Sequence, residues 1–142
     1  MPVENATTLL AATTVSASGA GAALTGLHRY QGVVGILNVS AVPTGGAPTL
    51  DVYVQASPDG GTTWRDVAAF QFSTTAAVRV FQLSQLASPG TATLAASDGA
   101  LASNTSVQGP FGDRLRVKYA FAAGGSSGSY TLSATIVPVG GP

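Results

Sequence analysis

The chain predicts an all-β fold, an antiparallel β-sandwich of jelly-roll or immunoglobulin-like type, on three observations. Strand-forming Thr and Val are abundant while Lys, Glu, Met and Arg, good surface helix formers, are scarce. Turn residues punctuate the chain throughout, with 18 Gly and 8 Pro in 142 residues. Between the turns, apolar and polar residues alternate with the period of two that a half-buried strand requires.

Each element follows from its local pattern. Residues 7–18 are rich in Thr, Val and Leu and read as an opening extended segment, closed by the glycine-alanine stretch 19–23. Residues 24–30 lead into 32–42, an almost continuous apolar run that suits a strand covered on both faces. The cluster Pro43-Thr44-Gly45-Gly46-Ala47-Pro48 is a turn, after which Leu50, Val52 and Val54 alternate with Asp51, Tyr53 and Gln55. Ser57-Pro58-Asp59-Gly60-Gly61 is a tight turn, with Pro setting one backbone angle and Gly supplying positive φ, and it predicts a hairpin. Residues 64–72 and 78–83 read as two more strands. From 84 to 110 the pattern breaks into Ser, Ala, Thr, Gly and Asn without a sustained period, and a long loop or arm is expected. Leu115, Val117, Tyr119 and Phe121 then share one face, with Arg114, Arg116, Lys118 and Ala120 on the other. A Gly-Ser turn at 124–128 and the alternating run 130–137 suggest a second hairpin. The expectation is one domain over 1–142, with 1–12 as an extended N-terminal arm and 84–110 as a loop insertion.

Composition bounds the function. Hydrophobic residues are 45% of the chain, enough for one packed core at this length. Only 8% of residues are charged, against roughly a quarter in ordinary domains, so Thr, Ser, Ala, Gln and Gly must cover the solvent face. Six basic and six acidic residues cancel, which removes the field that would draw in a nucleic acid or an anionic membrane. Neither is expected as a partner. Without cysteine there are no disulfides and no thiolate metal sites. The first residues lack a basic stretch followed by an apolar run, and no apolar stretch approaches the ~20 residues of a membrane span. A soluble protein made in the cytoplasm is expected.

Catalytic groups are sparse. His28 is the one histidine, and the sequence around it places it at a strand edge, facing solvent or an interface. An enzyme would need His28 to meet an acidic residue in a pocket. Asp59 and Asp98 lie in Asp-Gly turns, where the carboxylate ordinarily bonds local backbone. Asp51, Asp59 and Asp66 lack the dense acidic spacing of a calcium loop. No catalytic residue, metal or cofactor is expected. Trp64, just after the tight turn, either plugs the end of the core or stacks on a sugar or base; the first is the commoner use. A carbohydrate-binding module would present Trp64 and Tyr53 together on an exposed platform. The three Asn-x-Ser/Thr matches at Asn5, Asn38 and Asn104 are expected by chance in so Ser/Thr-rich a chain.

The basic ladder Arg114, Arg116 and Lys118 is the concentrated charge feature. It reads first as a solvated or cross-strand-paired face, with Asp113, Asp51 and Asp66 as counter-charges, and otherwise as a grip for an acidic partner surface. With Leu9 and Leu10 of the N-terminal arm, these three are the candidate partner-contact residues.

The segment from Pro48 to Val67 contains Val54-Gln55-Ala56-Ser57-Pro58-Asp59-Gly60 followed by Thr62-Thr63-Trp64-Arg65-Asp66. It resembles small structural proteins of tailed bacteriophages, in which a strand ending Val-Gln-x-Ser-x-Asp-Gly turns into Thr-x-Trp-x-Asp. Residues 112–119 and 130–136 look like the closing hairpin of the same proteins, so the resemblance spans about half the chain. It implies a virion protein of capsid decoration (cement) type. Such a protein is made in the host cytoplasm and sits on the outer capsid surface as a trimer or other small oligomer. It binds the major capsid protein and reinforces contacts between capsomers. A tail or baseplate component is the nearest rival. The family supplies no catalytic residues, and the long 84–110 segment departs from its shorter members.

Overall fold

The computed structural model describes residues 6–86 and 97–140. Among these residues nine strands follow one another: β1 (Thr7–Val15), β2 (Gly19–Ala20), β3 (Gly32–Ala41), β4 (Thr49–Ser57), β5 (Arg65–Phe72), β6 (Ala77–Ser84), β7 (Thr105–Ser106), β8 (Arg114–Ala122) and β9 (Tyr130–Val139). A short 3₁₀ turn, Leu27–Arg29, precedes β3. Every strand pairing is antiparallel.

Sheet A has the order β1-β9-β3-β6 and sheet B the order β2-β8-β4-β5-β7. The pairs β4·β5, β3·β6, β2·β8 and β1·β9 nest as the rungs of one long hairpin whose tip is the turn at 57–64. Alternate rungs fall in opposite sheets, so the hairpin is rolled over on itself. This is the jelly roll, with β7 added at one edge. Of the two topologies open from the sequence, the strand order selects this one.

The core lies between the sheets, where Val33, Leu37, Leu50, Val52, Val54, Leu115, Val117, Leu132 and Ile136 are fully buried. Tyr130 is also buried; its phenol donates to the Ser73 carbonyl at 2.7 Å, and its ring meets Phe121 edge-on at 5.9 Å. Phe111, from the loop before β8, joins the same core.

Four expectations need revision. The 124–128 turn does not close a hairpin: both edges of β8 are taken by β4 and β2, both edges of β9 by β3 and β1, and the turn crosses between sheets. Thr44 and Ser127 exchange backbone hydrogen bonds of 2.8 and 2.9 Å and stitch that crossing to the 43–48 turn. Among the described residues the apolar run of β3 is covered on one face only, leaving Val34 at 37% and Ile36 at 44% exposure, because none of them forms a layer outside sheet A. Trp64 is half-buried and outside the core cluster, held by its indole N–H donating to Gly61 O at 3.1 Å. Leu9 and Leu10 are buried core residues, since β1 is a sheet strand bonded to β9 from Thr7 onward.

Residues 1–5 and 87–96, which include parts of the expected arm and loop, lie outside the described residues. The rest of the 84–110 segment is tied down. Ser97 O accepts from Asp66 N at 2.8 Å, Asn104 N donates to Ala69 O at 2.8 Å, and Val107 N donates to Val67 O at 2.9 Å. Gln85 then clamps the next loop, its Oε1 accepting from Phe111 N and Gly112 N and its Nε2 donating to Gly112 O.

The hairpin tip carries a pH signature. Asp59 Oδ1 accepts from Thr63 N at 2.8 Å, Thr62 N at 3.1 Å and the Ser57 hydroxyl at 2.9 Å. These bonds, led by the Thr63 backbone N–H, lower its pKa from 3.8 to about 2. A carboxylate depressed in the fold stabilises it fully above the unfolded value and loses that contribution as pH falls through the folded value. Calorimetric melts are therefore expected to fall between about pH 4 and pH 2. Asp59→Ala should have a shallower fall over that window; an unchanged slope would contradict the assignment.

Candidate functional site

The two outer faces of the sandwich differ in chemistry. On sheet B, the outward positions of β4, β5 and β8 carry Asp51, Tyr53, Gln55, Asp66, Arg114, Arg116 and Lys118, placed together by the registers Gln55↔Asp66, Gln55↔Arg116 and Tyr53↔Lys118. Asp66 and Gln55 are 1% and 0% exposed, with the 97–101 segment bonded to the face.

Asp66 is the hub. Its carboxylate accepts from the backbone N–H groups of Gly99, Ala100 and Leu101 at 2.9 to 3.1 Å, and from Gln55 Nε2 at 2.8 Å. The other Gln55 Nε2 proton goes to Asp98 Oδ1 at 2.7 Å, while Gln55 Oε1 accepts from Arg116 Nε at 2.8 Å. Lys118 Nζ donates to Asp98 Oδ1 at 2.7 Å, and Arg116 lies 4.0 Å from the same oxygen. The bond from Lys118 is the largest cause holding the Asp98 carboxyl below its ordinary range. Every buried donor and acceptor named in this network is satisfied, which makes it a fastening.

The ladder cations are thus engaged within the chain. Asp98 and Asp113, the latter 3.8 Å from Arg114, are their counter-charges. Asp51 instead accepts from Gln71 Nε2, and Asp66 bonds backbone. Asp98 therefore bonds distant strands as well as sitting in its Asp-Gly turn; nothing in its own neighbourhood signals partners on β4 and β8. Arg116 covers a face of Trp64, its guanidinium carbon 4.1 Å from the ring centroid. Tyr53 is only 8% exposed. Trp64 and Tyr53 do not form an exposed platform.

His28 does meet an acidic residue. Its Nδ1 lies 2.7 Å from Asp113 Oδ1, which also accepts from Gly26 N at 3.0 Å. The histidine bond is the chief reason the Asp113 carboxyl is held below its usual range. The His28 side chain is 69% exposed, and it lines neither the hollow over Ala68, Phe70 and Phe81 nor the one beside Leu24, Tyr30 and Pro138. The pair fastens the 3₁₀ turn to the start of β8, together with Leu27 N donating to Asp113 O at 3.0 Å.

Sheet A presents the opposite chemistry. Its four strands contain one charged residue, Arg79, whose register opposite Leu37 turns it toward the inter-sheet side. Outward on β3, β6 and β9 stand Val34, Ile36, Val78, Val80 and Val139, each 37% to 67% exposed. The registers Ile36↔Val80, Val34↔Val137 and Gly32↔Val139 make them one continuous stripe, bordered by Asn38, Gln82, Ser133 and Thr135. Among the described residues nothing covers this patch of uncharged β-branched side chains, and contiguous apolar patches are uncommon on the surface of monomeric proteins. No protein-family model, curated protein or solved structure matches the chain.

Proposed function

We propose that this chain is a non-enzymatic virion protein of tailed-phage type, a capsid decoration or cement protein that lays the outer face of sheet A on the assembled shell. The observation that carries this reading is the charge-free Val/Ile stripe of sheet A beside a sheet B face closed by its own loop. The sequence resemblance supplies the partner, the major capsid protein, and the trimeric state. A lattice under internal pressure is stabilised by mass action by anything that binds only its assembled form, and a small oligomer multiplies weak contacts through multivalency. A rigid jelly roll with an apolar face meets both needs. Its place is the outer capsid surface, after synthesis in the host cytoplasm.

Quantitative mass spectrometry of purified particles tests the reading by counting this chain against the major shell protein. Hundreds of copies support decoration; a handful move the chain to a tail or baseplate, and absence removes it from the virion. The docking face is tested separately. Val34→Lys with Ile36→Lys, both at exposed positions, should leave the melting temperature within a few degrees while occupancy falls at least about tenfold. Full occupancy by the double variant would exclude this face.

A further inference from the structure

We infer that the free edge of β6 is a second binding site, one that adds an extended peptide strand bearing a carboxylate to sheet A. The site lies between the sheets at their open side. There β6 faces β5 and β7 across a groove of about 600 Å³ floored by Ala68, Phe70 and Phe81.

The direction of the β6 backbone follows from one side chain. Gln108 Nε2 donates to Gln82 O at 2.8 Å, and Gln108 Oε1 accepts from Ser84 N at 3.2 Å. Both groups therefore point away from β3. In a strand the N–H and C=O of residues i and i+2 share a side, so those of Val80 and Val78 also point outward. Gln108 imitates a neighbouring strand over the last part of β6 and stops there. Among the described residues, the backbone groups of Val78 and Val80 have no partner.

A strand laid along this edge would sit about 4.8 Å from β6. Alternate side chains would enter the groove over Phe70 and Phe81, and the others would extend the apolar stripe beside Val78 and Val80. This is strand addition, in which main-chain bonds give affinity and the groove gives selectivity.

Arg79 sets that selectivity. Its side chain turns to the groove side, with the guanidinium carbon 5.5 Å from the Phe72 centroid and no carboxylate within ion-pair distance among the described residues. An inward charge on an edge strand discourages pairing with uncharged strands, including other copies of the same edge. It admits a strand that brings a counter-charge, through a charge-assisted bond to a guanidinium. The ligand class is thus an extended apolar segment with a carboxylate, either a chain terminus or an acidic side chain. This chemistry does not depend on whether the partner is a shell protein.

The test uses three short peptides of alternating Thr and Val: one with a free C-terminal carboxylate, one amidated, and one amidated with a central Asp. Binding to the full chain is read by fluorescence anisotropy and by amide shifts in a ¹⁵N correlation spectrum. Either or both carboxylate peptides should bind about tenfold more tightly than the plain amide, with shifts at Val78 and Val80. Which of them does so identifies the source of the carboxylate. Arg79→Gln should erase the preference, and Val80→Pro, which removes an outward N–H from an edge strand, should abolish binding. Should Val80→Pro fail to fold, Arg79→Gln decides alone. Absence of binding, equal binding of all three peptides, a preference that survives Arg79→Gln, or shifts away from β6 would each overturn the proposal.

Discussion

Asp66→Ala is expected to destabilise the fold by about 3–5 kcal/mol, the range for breaking a buried charged network by removing one partner. The carboxylate is 1% exposed and accepts from three consecutive backbone N–H groups besides Gln55. Removing it leaves Gly99, Ala100 and Leu101 with unpaired donors against a buried face, and each unmet group costs on the order of 1–3 kcal/mol unless the loop lifts into water. Lifting restores hydration but uncovers the outward side chains of β4 and β5. Asp66→Asn should be nearly as damaging: an amide has one oxygen, so either orientation aims an NH₂ at donors. Chemical denaturation measures the loss, and hydrogen exchange at 97–101 should become fast while the exchange of β3 and β9 stays slow. A loss under about 1 kcal/mol for Asp66→Asn would show that the carboxylate is not the fastening.

The residues of this network show where sequence reading stops. The hairpin β4–β5 is legible because its strands are consecutive and Asp59 bonds the Ser57 hydroxyl and the Thr62 and Thr63 backbone N–H groups, all within four residues. Asp98 looks equally local in sequence, yet its partners Gln55 and Lys118 are 43 and 20 residues distant. Local chemistry is readable, and the choice among distant partners is made by strand order. The β8–β9 pair shows the same boundary. Alternation specifies which side chains turn inward, and it is identical whether the turn closes a hairpin within one sheet or crosses to the other. Leu9 and Leu10 defeat alternation altogether, because register shifts between Thr8 and Leu10 and between Leu10 and Thr13 allow adjacent apolar residues both to be buried.

The sheet A face was hidden for a related reason. Val and Ile occupy both parities of β3, which suited a strand buried on two sides. What the pattern could not supply is the number of layers in the fold. Among the described residues two sheets account for all the strands, Val34 and Ile36 have no further layer to pack against, and an apolar run that reads as core is an exposed face.

Gly35→Val is expected to destabilise by about 3 kcal/mol or more, although propensity alone favours the change, since valine is a strong strand former and glycine a weak one. Gly35 is an inward residue of β3 paired with Phe81, and a Cβ there would lie 2.0 Å from Phe81 Cζ and 2.4 Å from both Cε atoms. The phenyl ring lies across the glycine, filling the place of its missing side chain, and tilts against Phe70 at 5.9 Å. Any side chain must drive that ring out, at a cost comparable to overpacking plus the loss of a buried aromatic. Because the obstacle is one ring and not backbone, the defect should be repairable. Gly35→Ala combined with Phe81→Leu is expected to be more stable than the sum of the single changes by at least about 1 kcal/mol, measured by a double-mutant cycle in urea. Simple additivity would mean that Gly35 is required by the strand itself. The expected coupling would make Gly35 and Phe81 one unit, with the ring that covers the glycine also flooring the groove beside β6. Gly35→Ala alone should therefore alter the β6 edge as well as the core.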